Sequence, residues 1–109
     1  MTKRMTDGLE AAWAAMGGKW KTQILFHLMD GEKRFSELKR CMPEITQRML
    51  TNALRDLESS GIVRRCIYAE VPARVEYTLT DIGLSMEQAL ETLQDWGKKY
   101  KSWKDEDDI

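Results

Sequence analysis

Apolar residues recur at helical spacing in two stretches near the start of the chain. Residues 9–16 carry an i, i+3, i+4, i+7 stripe that predicts a short amphipathic helix: Leu9, Ala12, Trp13 and Met16. A second helix is predicted from Lys19 to about Met29, and its apolar side holds Trp20, Ile24, Leu25 and Leu28. The glycine pair at 17–18 separates the two helices, because glycine favours helix ends.

The next segment predicts a helix, a short turn and a longer helix. Ser36 is a candidate N-cap for the first of these helices, which Pro43 ends. Thr46 caps the second helix, which runs over residues 47–60 and closes at Gly61. Its inward positions have helical spacing: Leu50, Ala53, Leu54 and Leu57. This arrangement has the outline of a helix-turn-helix.

The period then changes from helical to alternating. Residues 62–70 are rich in branched and aromatic side chains, and residues 74–79 alternate strictly between apolar and polar. Two strands joined by a loop at residues 71–73 are therefore predicted. The register of the first strand stays open, because Ile62 and Val63 are both apolar. Before the helix pair, residues 33–35 form a short extended link.

The last predicted helix covers residues 81–103, with Thr80 as its cap. Two interleaved heptad series form an apolar seam: Met86, Ala89, Leu93, Trp96, Tyr100 and Trp103. The seam either folds back on its own domain or packs on a second subunit. Its large aromatics favour the second interpretation, since such residues are enriched at interfaces. The expected homodimer interface comprises Leu9, Trp13, Met86, Leu93, Trp96, Tyr100 and Trp103.

The order of elements predicts an α+β, mostly α fold: a winged helix-turn-helix with a two-stranded β-hairpin wing and dimerisation helices at residues 9–16 and 81–103. The 109 residues suit a single domain over residues 1–109. The acidic stretch at residues 104–109 lacks an apolar period and is expected to be a frayed, solvated tail.

The composition and motifs of the chain argue against several classes of protein. Apolar runs are too short for a transmembrane helix, and the first residues lack the apolar run of a signal peptide, which favours the cytoplasm. Two cysteines without a CxxC spacing and a single histidine do not support a zinc site or a catalytic triad. Phosphate-binding and hydrolase motifs are missing, so neither an enzyme nor a cofactor is expected. Cys41 and Cys66 are expected to be small buried hydrophobes.

Charge is unevenly distributed along the chain. The net charge is −1, but residues 1–30 carry +1, residues 31–74 carry +3 and residues 75–109 carry −5. The basic middle third coincides with the helix-turn-helix and the hairpin. This distribution favours nucleic acid as a partner of that region.

The outward face of the helix after Thr46 has the chemistry of base recognition. Glutamine and asparagine pair with adenine, arginine pairs with guanine, and threonine meets the thymine methyl group. The candidate base contacts are Gln47, Arg48, Thr51 and Asn52. The candidate backbone and wing contacts are Lys33, Arg34, Ser36, Arg55, Arg64, Arg65 and Arg74.

Each of these assignments has a plainer alternative. The polar face is also what an ordinary solvated helix shows, and some of the cations would simply pair with Glu32, Glu70 or Glu76. At the level of function, the alternative is a winged-helix module that binds protein rather than DNA. A protein-binding face should have an apolar centre, and this face has none.

Six segments, in order and without gaps, resemble one known family: GGKW at 17–20, RFSEL at 34–38, ITQRMLT at 45–51, LRDLE at 54–58, GIVRR at 61–65 and YAEVPARVEYTLT at 68–80. They are similar to the HxlR-type transcriptional regulators over about residues 9–97. The resemblance implies a prokaryotic winged-helix DNA-binding protein that represses or activates transcription. It implies a homodimer, formed through the first and last helices, on a pseudo-palindromic operator of double-stranded DNA.

The resemblance also places the recognition helix at the run beginning at Thr46 and the wing at residues 68–77. Several relatives sense oxidants through a cysteine ten residues before the glycine pair, where this chain has Asp7. An unknown small-molecule effector is a further candidate partner; a membrane is not.

Overall fold

The computed structural model describes residues 2–107 of the chain, and the side chains of residues 7–106. Within that range it contains α1 (Thr2–Met16), α2 (Lys19–Leu28), β1 (Lys33–Arg34), α3 (Phe35–Cys41), α4 (Gln47–Ser59), β2 (Val63–Tyr68), β3 (Arg74–Leu79), α5 (Asp81–Leu84) and α6 (Glu87–Asp107). The predicted α+β, mostly α fold with a winged helix-turn-helix is confirmed.

The core lies between α2, α3, α4 and the base of the hairpin. The predicted inward face of α4 is buried, with Leu50 and Leu57 fully inaccessible to solvent. Other fully enclosed side chains come from the neighbouring helices: Ile24, Leu25 and Leu38. Burying an aliphatic side chain contributes about 1.5–3 kcal/mol, so this cluster holds the two helices of the motif together.

The two helices of the motif begin with different local hydrogen bonds. The hydroxyl of Thr46 accepts from the Met49 N–H at 3.1 Å, as expected for the cap of α4. The expectation that Ser36 caps α3 is wrong, because the helix starts one residue before it and Arg34 is the N-cap. There the Arg34 N–H donates to the Glu37 carboxylate at 2.8 Å, which fixes the first turn and leaves Ser36 inside it.

The sheet has three antiparallel strands in the order β1-β3-β2, so the expected two-stranded wing gains a third strand. Val63 pairs with Leu79 and Tyr68 pairs with Arg74, which resolves the open register. On its other edge β3 pairs with the two residues of β1. This pairing occupies backbone groups of β3 that would otherwise form an open edge.

The prediction of one last helix over residues 81–103 is wrong at its start. Thr80 caps only α5, through the Gly83 N–H at 3.3 Å, and a turn at residues 85–86 separates α5 from α6. At this turn the Met86 N–H bonds to the Gly83 carbonyl at 3.1 Å, three residues back rather than four. Met86 is half-buried against the core there.

Both terminal helices are longer than predicted. The first begins at Thr2 rather than residue 9, and α6 continues to Asp107, so residues 104–107 are helical rather than frayed. Residues 104–107 extend a helix that is already formed, and adding a residue to an existing helix costs far less than starting a new one, even without apolar spacing. Residues 108–109 lie outside the described part of the chain.

The two cysteines also differ from expectation. Cys41 is exposed and Cys66 is half-buried. Cys41 is the last residue of α3, whose buried residue is Leu38, and Cys66 lies opposite Glu76 on the sheet.

Among the described helices, none has the length and apolar character needed to cross a membrane.

Gly83 tests the packing of α5 on the sheet. A methyl group there would overlap the Ile62 carbonyl oxygen, whereas a methyl group at Gly97 in α6 would meet nothing within 4 Å. We expect Gly83→Ala to lower the free energy of unfolding by about 1–3 kcal/mol through overpacking. The matched change Gly97→Ala should raise it by about 0.5–1 kcal/mol, because alanine is the better helix former. Urea unfolding at one protein concentration measures both, and an unchanged Gly83→Ala midpoint would contradict this packing.

Candidate nucleic-acid interface

The five polar residues expected on the outward face of α4 lie together on one surface. They line a shallow depression: Gln47, Arg48, Thr51, Asn52 and Arg55. All are exposed except Thr51, which is half-buried. The Thr51 hydroxyl donates to the Gln47 carbonyl at 2.8 Å, so its methyl group is the part left for an outside contact.

The charges of this face are positive and uncompensated. Within the described residues, Arg48 and Arg55 have no acidic partner. The two acids of α4 are taken by other elements: Asp56 lies 3.8 Å from the Lys21 ammonium and Glu58 lies 3.6 Å from the Arg65 guanidinium. Two arginines without partners on an exposed helix are available to a polyanion.

The cations of the wing region fall into two groups. Arg34 and Arg74 pair with Glu76, and Arg74 also pairs with Glu70, as the plainer interpretation of the sequence expected. The described structure gives Lys33 and Arg64 no acidic partner.

Ser36 is exposed, in the first turn of α3. It directly follows β1 and Phe35, so it lies close along the chain to Lys33.

Sequence reasoning passed over Met49, which is exposed on α4 beside the polar face. Its only sequence signal was its position outside the buried series of α4.

Tyr68, on β2, has a hydroxyl with a perturbed pKa. Partial burial and the neighbouring Glu32 carboxylate raise the pKa of its hydroxyl, which therefore stays protonated and donates to Glu32 at 3.3 Å. The guanidinium of Arg74 lies over the same ring, 4.1 Å from its centre. Sequence reasoning missed Tyr68 as a structural partner of Glu32, because the two are 36 residues apart.

The expected dimer residues of α6 are mostly exposed. Trp96 stacks on Tyr100 at 5.4 Å between ring centres, Trp103 follows at 5.9 Å, and Leu93 is exposed on the same helix. On α1, Leu9 and Trp13 are also exposed. Met86 differs from the rest, since it packs partly on the core of its own chain.

A surface hollow of about 300 Å³ lies between α2 and α6, close to these residues. Its lining includes Phe26, His27, Leu90 and Leu93. Phe26 is half-exposed, and sequence reasoning did not count it among the surface aromatics. In the part of the chain that is described, no group of three or more potential ligand side chains could hold a metal ion.

Comparison with known proteins agrees with this geometry. The family model for the HxlR-like helix-turn-helix matches residues 15–105. A helix-turn-helix transcriptional regulator of Methanothermobacter thermautotrophicus is 54% identical over 94 residues, which are 86% of this chain and 72% of that protein. YdeP of Bacillus subtilis, also described as such a regulator, is 48% identical over 93 residues, 85% of this chain and 73% of YdeP.

Solved structures give the same result. The reduced form of the redox regulator HypR superposes with a TM-score of 0.85 at 42% identity, covering 91% of this chain and 98% of that one. The regulator YtcD superposes with a TM-score of 0.81 at 50% identity, covering 86% and 96%. With its helix-turn-helix, its wing and these relatives, the chain belongs to the HxlR-like helix-turn-helix family of DNA-binding transcriptional regulators.

Proposed function

We propose that this regulator binds a pseudo-palindromic operator as a homodimer, with α4 of each subunit in a major groove. The observation that carries the proposal is the polar face of α4, which is solvent-accessible and has two arginines without acidic partners in the described part of the chain. The opposite face of the same helix is buried in the core. A rigidly seated helix with a polar outer face is what groove recognition requires.

Base contacts are assigned to the face of α4 by chemistry. Gln47 and Asn52 supply amides for adenine, Arg48 supplies a fork of donors for guanine, and Thr51 supplies a methyl group for thymine. Residues near the helix N-terminus reach deepest in this motif. Arg55 follows one turn after Thr51, where the helix meets the edge of the groove.

Phosphate contacts are assigned first to those candidate cations for which the described residues provide no acidic partner. These are Lys33, Arg55 and Arg64, with the Ser36 hydroxyl as a neutral donor. Arg34 and Arg65 each have a carboxylate within 4 Å, so a phosphate must compete for them. The two groups together would give an affinity that falls with salt, because each neutralised phosphate releases counterions.

Dimerisation through α1 and α6 is supported by the exposed aromatic residues on both helices. Trp96 and Trp103 are each more than half exposed. Large exposed apolar patches are uncommon on monomers and mark interaction sites. A two-fold dimer would place two copies of α4 against two half-sites.

We assign the chain no reaction, in keeping with a family of transcriptional regulators. A small-molecule effector stays a prediction from the sequence, and a ligand screen should begin at the hollow between α2 and α6.

Selection of bound duplexes from a random DNA library tests the proposal as a whole. We expect a palindromic motif with half-site centres about one helical turn, ~10 bp, apart. Titration of that motif by fluorescence anisotropy should give log K falling with log[salt] by about 0.9 per phosphate contact. A pool without enrichment, or an affinity insensitive to salt, would contradict the proposal.

Arg48→Ala tests base recognition. It should weaken binding to the selected operator by about 1–3 kcal/mol and relax the preference at one base position. The control is Lys98→Ala, which removes the same charge from the exposed surface of α6. If the two variants bind every DNA sequence more weakly by the same small factor, Arg48 does not read a base.

Trp96→Glu tests the dimer interface. A carboxylate at an apolar contact loses its hydration without gaining a partner, so sedimentation velocity should show a monomer. Operator affinity should fall with it, because one half-site is then lost. Lys98→Glu, two residues along the same helix, is the matched control and should stay dimeric. A dimeric Trp96→Glu protein would place the interface elsewhere.

A further inference from the structure

One face of the three-stranded sheet carries a cluster of charged and aromatic side chains that joins all three strands. We call it the wing clamp, and its members are Glu32, Arg34, Tyr68, Glu70, Arg74 and Glu76. Strand pairing brings them together: Arg34 on β1 and Cys66 on β2 both lie opposite Glu76, and Tyr68 lies opposite Arg74.

Arg74 is the centre of the wing clamp. Its Nη1 donates to Glu76 Oε1 at 3.0 Å, and its Nε lies 3.4 Å from Glu70 Oε2. The guanidinium carbon Cζ lies over the ring of Tyr68, 4.1 Å from its centre. Only 30% of the Arg74 side chain is accessible to solvent, and Glu76 is covered further, at 13%. Two carboxylates and an aromatic ring therefore occupy a group that the sequence had assigned to DNA.

The wing clamp also reaches the start of the helix-turn-helix. Glu76 Oε1 lies 3.8 Å from the Nε of Arg34, the residue that caps α3. The Tyr68 hydroxyl donates to Glu32, immediately before β1. Arg64, on the same strand as Tyr68, has no partner among the described residues and stays exposed. The clamp thus connects the wing, including the strand that carries Arg64, to the segment from which α3 begins.

We propose that Arg74 is a positioning residue that holds the wing against the start of α3, so that Arg64 meets the DNA backbone, and that Arg74 itself does not contact DNA. This inference rests on the proposed function, since it requires that the wing bind DNA. Arginine suits the role, because its planar fork can meet carboxylates and stack on a ring at the same time, which lysine does not do.

The direction in which one substitution changes the affinity for DNA distinguishes positioning from direct contact. If Arg74 bound a phosphate, Glu76 would compete with the DNA, and Glu76→Ala would raise the affinity. If Arg74 positions the wing, Glu76→Ala removes its partner and lowers the affinity, although it also removes a negative charge near a polyanion. Because Glu76 also pairs with Arg34, Glu76→Ala is compared with its parent in an Arg34→Ala background. There, direct contact and positioning by Arg74 predict opposite changes in affinity for the same variant.

The experiment measures operator binding of the full chain by anisotropy, with circular dichroism to show that each variant is folded at the temperature used. We expect Arg74→Ala and Glu76→Ala each to weaken binding by about tenfold, as for the loss of one charged hydrogen bond. The double variant should be no weaker than the poorer single variant, because both changes break one unit. Arg74→Lys should restore little. The proposal would be overturned if Glu76→Ala bound the operator more tightly than the parent. It would also be overturned if the losses of affinity in the two single variants added up in the double variant, or if Arg74→Lys bound as tightly as the parent.

A second measurement does not depend on DNA. Backbone ¹⁵N relaxation of Ala69, Glu70, Val71 and Ala73 in the DNA-free protein should show greater fast motion in Arg74→Ala than in the parent. Arg64→Ala is the reference: it should weaken DNA binding without changing the motion of the wing. If Arg64→Ala binds the operator normally, Arg64 does not contact DNA, and both that contact and the proposed role of the clamp are refuted. If Arg64→Ala fails to bind but the wing of Arg74→Ala stays rigid, only the clamp is refuted.

Discussion

The structure depends on the burial of one face of α4. Leu50, Leu54 and Leu57 pack that helix on the core, and its other face then leaves Arg48 and Arg55 exposed, without an acidic partner among the described residues. A helix with so many polar residues has little reason to hold a fixed position on its own, since most helical stability in proteins comes from packing an apolar face. The core thus supplies the rigidity that the outer face needs for recognition.

The central strand β3 connects this helix pair to the wing. It pairs with β1, which leads directly into α3, and with β2, which follows α4 along the chain. A displacement of β3 would therefore also displace the two helices of the motif. Glu76 and Arg74, which form ion pairs, both lie on β3, the strand that pairs with both other strands of the sheet.

The elements that the sequence predicted well are those determined by local periodicity and caps. The buried series of α4 and its Thr46 cap follow from spacing alone, and so does the alternation in β3. The features that sequence reasoning missed depend on contacts between distant residues. The break before α6 follows α5, in which a side chain at Gly83 would overlap the carbonyl of Ile62. Tyr68 bonds to Glu32 only after the sheet has formed. The grouping of the five polar residues on α4 could be predicted, but which wing cations find carboxylates could not.

The uneven charge of the chain has a consequence for how the molecule approaches a nucleic acid. The positive segment at residues 31–74 holds α4 and β2, while the −5 of residues 75–109 is spread along the whole C-terminal third of the chain, from β3 through α5 and α6 to the last residues. Such a separation gives the protein an electric dipole, and a polyanion exerts a torque on it before contact. Rotation in that field turns the positive segment toward the duplex and the acidic C-terminal third of the chain away from it. Productive encounters then become a larger share of all collisions, and added salt shortens the range over which this alignment acts.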